Sequence, residues 1–269
     1  MIIRWLGFTL LSLVLSISSS HARVLKACGH PFYPPVSWVQ AGQLTGLAPS
    51  VTLQLFAELG YKVELSADYN WKRCLREVQL GNADIVVAAY RIPSRETYLW
   101  FSKQPVIADP VAFFVNRENP ISFTDLDDLR GKTTGLLLGD SFGERLDQFL
   151  AQNTRIEHVS RNRQNFEKLA RQRIDFMPVG LLSGRLQSQK MGYHDKVVAL
   201  DYRVSTEFYH LAVGHKSDLK AHLPFIDRRL KEMQRDGTIQ RLTDRYSLKY
   251  LDATDIPKTA DIREPTTSP

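Results

Sequence analysis

Six consecutive residues, Asp84-Ile85-Val86-Val87-Ala88-Ala89, set the strongest limit on what this chain can fold into. After the opening aspartate every position is apolar, not every second one, so the strand it forms must be covered on both faces. Sheets covered on both faces are parallel sheets wrapped by helices. The neighbouring pattern agrees. A strand is expected over residues 24–28, and a helix from Ser50 carries Val51, Leu55 and Leu59 on one side and stops at Gly60. Alternation predicts a strand over 62–65, and Asn70 and Gly81 bracket a second helix. Strand, helix, strand, helix, strand in this order is a doubly wound α/β lobe.

A second round of the same logic begins near Asn116. It reads as a short helix over 124–129, a strand over 133–138, a helix over 141–153, a strand over 156–159, a helix over 162–172 and a buried strand over 174–179. Strands over 196–200 and 207–213 follow, then amphipathic helices over 217–235 and 238–246 parted by Gly237. Residues 29–38 read as an irregular aromatic loop before a turn at Ala41-Gly42. The chain beyond Lys249 is rich in Pro and Thr, which predicts a disordered tail. With 269 residues and 43% hydrophobic content there is enough apolar surface for two such lobes.

Charge and termini narrow the function. The excess of basic residues, +6 overall, is scattered, not gathered into a stripe, which argues against a nucleic-acid partner. No run of about 18 apolar residues exists to carry the body across a membrane. Arg4, an apolar stretch over 5–17 and Ser20-His21-Ala22 have the pattern of a cleaved secretory signal. Its about 13 apolar residues would reach about 20 Å, short of the roughly 30 Å hydrocarbon core. The mature chain is therefore expected to start at Arg23 in an oxidising compartment such as a bacterial periplasm. Cys28 and Cys74 could pair there or remain two buried thiols, and spacing leaves both open. Seven histidines show no metal-ligand spacing, and there is no nucleophile triad or glycine-rich phosphate loop, so no cofactor or metal is implied.

Four stretches resemble the family 3 periplasmic solute-binding proteins, the group that includes the lysine/arginine/ornithine- and histidine-binding proteins. They are Phe32-Tyr33-Pro34-Pro35, Gly46-Leu47, the run from Asp84 to Ser102 with Ile92-Pro93-Ser94-Arg95 inside it, and Asp236-Gly237-Thr238. The resemblance covers residues 24–246. It implies two doubly wound α/β lobes joined by a two-segment hinge, the type II periplasmic-binding-protein arrangement, with a small ligand in the cleft. Lobe one would comprise 23–110 and 205–246, lobe two 111–204, with a leader over 1–22 and a tail over 247–269. A monomeric binding protein handing a carboxylate-bearing solute to an ABC permease, or reporting it to a membrane sensor, is the implied role.

Matching the family motif residue by residue, Arg95 is the carboxylate-holding guanidinium, Trp71 and Tyr33 are aromatics facing the ligand, and Ser141 is the hydroxyl residue at a helix start in lobe two. A guanidinium is charged at any working pH and offers a planar fork to two carboxylate oxygens. The pattern also departs from the family. Where amino-acid binders usually carry an Asp for the ligand ammonium, this chain has Gly180; the first-loop acidic position is His30; and Ala88-Ala89-Tyr90-Arg91 replaces a Ser-rich run. Asp140 or Glu207 could substitute for the missing carboxylate. Arg91, Arg95 and Arg73 together suggest a ligand with more negative charge or without an amino group, and Tyr90 and Asp140 join the candidate site. A dehydratase on the same fold would need a buried general acid, for which Glu96, Asp140 and Glu207 are the candidates, none in a recognisable catalytic constellation.

Overall fold

The computed structural model describes residues 23–68 and 70–252; the expected leader and the chain from 253 onward lie outside them. The first lobe opens with β1 (Val24–Cys28), followed by a small antiparallel sheet of β2 (Phe32–Tyr33), β3 (Ser37–Gln40) and β4 (Gln43–Thr45). The segment 29–38, read as an irregular loop, carries two short pieces of strand, residues 32–33 and 37–38, and is otherwise turn and irregular chain. Its aromatics hid the two-residue alternation, while Ala41 and Gly42, at φ 48° and 73°, make the expected turn. α1 (Leu47–Glu58) starts three residues before Ser50. Its first N–H groups, on Leu47 and Ala48, donate to the carbonyls of Pro35 and Val36, so the small sheet caps the helix. Gly46 makes this possible: its φ is 132°, and a Cβ there would collide with the Val36 backbone.

β5 (Lys62–Leu65), α2 (Trp71–Leu80) and β6 (Ile85–Tyr90) follow as expected. Asn70 caps α2 by accepting from Arg73 N at 2.8 Å, and all six residues of β6 are buried. β1 lies between β5 and β6, parallel to both. A single turn, α3 (Pro93–Glu96), and a short strand, β7 (Leu99–Phe101), lead to β8 (Ile107–Asn116).

The second lobe repeats the arrangement. β9 (Thr133–Leu137), α4 (Glu144–Asn153), β10 (Arg155–Val159), α5 (Asn162–Ala170) and β11 (Phe176–Gly180) place β9 centrally, parallel to both β10 and β11. The expected helix over 124–129 is a 3-10 turn, Leu126–Leu129, capped by Asp125. Sequence periodicity missed α6 (Leu181–Lys190) entirely. Its buried face is Ser183, Gly184, Leu186, Gln187 and Ser188, so no apolar repeat marks it, and Gly184 lets the helix lie directly on Phe114.

β12 (Val197–Gly214) is one strand of 18 residues where two were expected. The polar stretch 201–206 breaks the apolar pattern but not the pairing, because β8 runs antiparallel beside it with register irregularities between 199 and 205. β12 also pairs with β6, so the sheet reads β10-β9-β11-β8-β12-β6-β1-β5, with β7 on β12. α7 (Leu223–Arg235) starts after a 3-10 turn, and α8 (Thr238–Asp252) closes the described chain against both α1 and α6. α8 continues through residues 247–252, assigned above to a disordered tail. Tyr250 packs edge-on against Trp38 at 5.5 Å, and Leu251 O accepts from Lys190 Nζ, which holds the last turn in place.

Cys28 and Cys74 form a disulfide with Cα atoms 5.7 Å apart, resolving the alternatives in favour of the bridge. It ties the end of β1 to the first turn of α2 across 46 residues, which by chain entropy stabilises the fold by about 4 kcal/mol. Cys28→Ala with Cys74→Ala should therefore lower Tm by about 10 °C in calorimetry. An unchanged Tm would show that packing alone fixes this corner.

Candidate functional site

Side chains from both lobes converge on one cavity of about 20 Å³, room for about one water-sized group. Tyr33, Trp71, Tyr90, Arg95, Asp140 and Ser141 line it together with His30, Ala88, Phe142 and Tyr209. Six of the seven residues singled out from the sequence thus meet in one place. The exception is Arg91: beyond the end of β6 it turns out to solvent and donates to Glu96 Oε1 at 2.5 Å. Arg73 is likewise exposed and faces Glu77 at 3.6 Å. The expected surplus of positive charge in the cleft is absent, and with Glu96 on the surface one of the three acid candidates lies outside it. The side chain of Glu207 is outside the described residues.

α3 aims Arg95 inward. Pro93 opens the turn, and the guanidinium, 5% exposed, donates to Tyr90 O at 3.1 Å and to Gly139 O at 3.3 Å while lying 5.3 Å from the Trp71 ring centre. Both partners are neutral carbonyls, one in each lobe. No carboxylate lies within ion-pair distance among the described residues. Burial pulls the guanidinium below its usual pKa, and the fields of Tyr98, Asp140 and Asp147 push it back.

Three further contacts join the lobes. His30 Nδ1 accepts from Phe32 N, so its proton is on Nε2, which donates to Asp140 Oδ1 at 3.0 Å. Gly180 N donates to the Tyr33 hydroxyl at 2.7 Å, and Asn162 Nδ2 donates to Phe32 O at 3.4 Å. Trp71, the first residue of α2, packs its ring 5.2 Å from His30, and Tyr209 lies between Tyr90, tilted at 4.4 Å, and Tyr33, edge-on at 5.4 Å.

Ser141 does not start a helix. Gly139 and Gly143, both at positive φ, keep residues 138–143 as a loop, and Gly143 is the N-cap of α4. The Ser141 hydroxyl and Phe142 N both donate to the carboxylate of Asp147, which thereby fills the anion-accepting corner expected there. Burial raises the Asp147 pKa, while the Ser141 and Phe142 bonds and Arg95 draw it down.

Position 180 holds the largest surprise. A Cβ built on Gly180 would overlap Asp109 Oδ2: the carboxylate missing from β11 is supplied by β8. Asp109 is buried, its Oδ1 accepts from Leu182 N at 3.1 Å, and a second bond comes from Ser183 N. Burial pushes its pKa up to about 7, against the pull of those two N–H groups. Asp109, Asp147 and Tyr209 were not anticipated. One signal was present, since Asp109 is the lone charge in the apolar run from Val106 to Val115.

A larger cavity, about 420 Å³, lies between α6 and β12 and is lined by Arg185, His194, Phe114 and Val197 among others. Its charged groups are exposed and it draws on one lobe only, so the site is assigned to the smaller cavity.

The folded chain keeps the Asp109 proton up to about pH 7, whereas the unfolded chain loses it near 3.8. Stability therefore falls as pH rises through that window, by up to about 1.4 kcal/mol per unit. Asp109→Asn should raise Tm at pH 8 by about 5 °C, with the gain fading by pH 4. Thermal melts at both pH values test this, and an equal difference at each would refute it.

Comparison with known proteins gives one consistent picture. The profile of the bacterial extracellular solute-binding proteins, family 3, matches residues 25–249. The L-cystine-binding protein TcyJ of Escherichia coli (strain K12) is 25% identical over 215 residues, 80% of this chain and 79% of that one. The same fold occurs in AbpA, an amino acid ABC transporter substrate-binding protein from Streptococcus pneumoniae solved with L-arginine, at 19% identity, with 85% of this chain and 96% of that chain covered and a TM-score of 0.72. It occurs also in a histidine kinase sensor domain similar to periplasmic binding proteins, at 19% identity, 83% and 96% coverage and a TM-score of 0.69. By the extent of the profile match and the two-lobed fold, the chain belongs to the bacterial extracellular solute-binding proteins, family 3.

Proposed function

We infer that this chain is a periplasmic binding protein that captures a small amino-acid-like organic acid between its lobes and delivers it to an ABC-type permease. The observation that carries the reading is Arg95. A buried guanidinium bonded only to neutral carbonyls gains when a carboxylate replaces one of them, because charge-assisted bonds contribute about 1.5–3 kcal/mol against about 0.5–1.5 for neutral ones. Trp71 and Tyr33 would flank the bound solute. Asp140 and Ser141, on the loop that closes over Arg95, would complete the grip.

A cavity of about 20 Å³ admits no organic acid, so entry requires the lobes to part. On this reading β8 and β12 are the hinge, dividing residues 23–110 and 205–246 from 111–204, and the contacts of Arg95, His30, Tyr33 and Phe32 with the second lobe are exchanged for ligand contacts. The cleaved leader over 1–22, the export it implies and a monomeric state belong to the same proposal, supported by the family and by the disulfide. The non-enzymatic reading is supported by the binding-protein relative, the L-cystine-binding protein TcyJ.

The sensor reading is also supported, since the kinase sensor domain fits the fold about as well as the transport protein does. Genomic adjacency to a permease or to a kinase separates the two.

A thermal-shift screen of amino acids, oxo acids, dicarboxylates and short peptides is the direct test. A ligand at 100 times Kd adds about 2.7 kcal/mol, a shift of roughly 5–10 °C. Arg95→Ala should abolish that shift while leaving the unliganded Tm within a few degrees, and a retained shift would overturn the assignment. Trp71→Ala should weaken binding about tenfold by titration calorimetry, while unchanged affinity would reduce Trp71 to packing.

A further inference from the structure

The cavity between α6 and β12 takes no part in the interlobe site, yet it is the roomier of the two. At about 420 Å³ it falls in the range of small-molecule sites, about 300–1,000 Å³, while the interlobe cavity holds about one water-sized group. Its walls follow from local packing. Gly184 lets α6 rest on Phe114, and one turn later Ser188 Oγ donates to Val197 O at 3.1 Å, so helix and sheet are fixed to each other beside the cavity. Phe114 and Val197, each 1% exposed, give it an apolar floor that Val198 and Ala199 extend. β12 pairs with β8 at 197–199, and its pairing with β6 begins only at Tyr209. Among the described residues, no neighbouring strand closes the other side there.

The polar groups say which ligand suits that floor. The Ser188 hydroxyl is committed to Val197 O, and His194 lies 3.4 Å from Asp195. Arg185, by contrast, has no ion-pair or hydrogen-bond partner among the described residues. Gln189, one turn on along the same face of α6, sets an amide donor beside it. The local chain is basic, since residues 181–199 carry Arg185, Lys190 and Lys196 against a single acid, Asp195. An exposed guanidinium at the rim of a buried apolar floor matches an amphipathic anion, hydrocarbon inside and carboxylate outside.

We propose that this cavity is a second binding site, separate from the interlobe cleft, for a small amphipathic carboxylate. An aryl or branched alkyl group lies on Phe114 and Val197, and the carboxylate pairs with Arg185. Every group lining the cavity falls within residues 114–199, so occupation needs no parting of the lobes and leaves the contacts of Arg95 in place.

The probe is 2-naphthylacetate, with neutral 2-naphthylacetamide as its counterpart, titrated against the full chain by saturation-transfer NMR. Wild-type protein should bind the acid with a Kd of about 1 mM or tighter. The amide should bind about tenfold more weakly, and raising NaCl from about 20 to about 500 mM should weaken the acid about threefold, because Arg185 is exposed. Arg185→Ala should lose about tenfold for the acid and nothing for the amide, while Arg95→Ala should bind both as wild type does. Arg185 is on the surface of α6, so its replacement leaves the fold intact. No binding to wild type, equal affinity for acid and amide, or unchanged affinity in Arg185→Ala would overturn the proposal. Loss of the acid in Arg95→Ala with retention in Arg185→Ala would overturn it too, by placing the probe in the interlobe cleft and leaving the Arg95 reading intact.

Discussion

The pairing of β8 with β12 is the constraint on which the rest of this molecule depends. Both strands pass through both lobes, so two separately wound sheets become one continuous ladder from β10 to β5. On the proposed hinge reading the two lobes part about this pair of strands. Tyr209 lines the cavity from β12, and Asp109 on β8 sits beside it, packed against Gly180. The register irregularities between 199 and 205 lie on the same pair, where backbone hydrogen bonding is least regular.

Charge in the cleft follows from this geometry. Arg95 meets a field set by Asp140 and Asp147, with Asp109 a third buried acid nearby. One guanidinium among three carboxyls is a poor home for a polyanion, and it explains why surface pairing of Arg91 with Glu96 matters: the cations that would have rebalanced the site are spent elsewhere. The short loop from Leu138 to Gly143 delivers Gly139 O and Asp140 to the first lobe, as partners of Arg95 and His30, while Ser141 and Phe142 pin the loop to Asp147 within its own lobe.

Much of this was legible in the sequence wherever a residue's neighbours in the chain decide its environment. β6 is apolar throughout because it is central, and Asn70 and Gly81 bracket α2 because capping is local. Arg95, Trp71 and Tyr33 were found through their motif. What escaped notice depends on partners distant in the chain. α6 buries serines and a glycine against Phe114, β12 runs on through polar residues because β8 holds it, and Asp109 fills the space left by a glycine 71 positions away. Arg91 misled because a motif gives spacing but not the direction in which a side chain leaves the backbone.

The bridge between Cys28 and Cys74 closes a circuit two residues before His30 and three after Trp71. It therefore clamps the recognition face of the first lobe into a single preassembled plate, quite apart from its effect on melting. A nascent copy still holding thiols would carry the same residues on two loosely coupled pieces. Reduction of the bridge would thus loosen the side of the cavity that His30 and Trp71 form together.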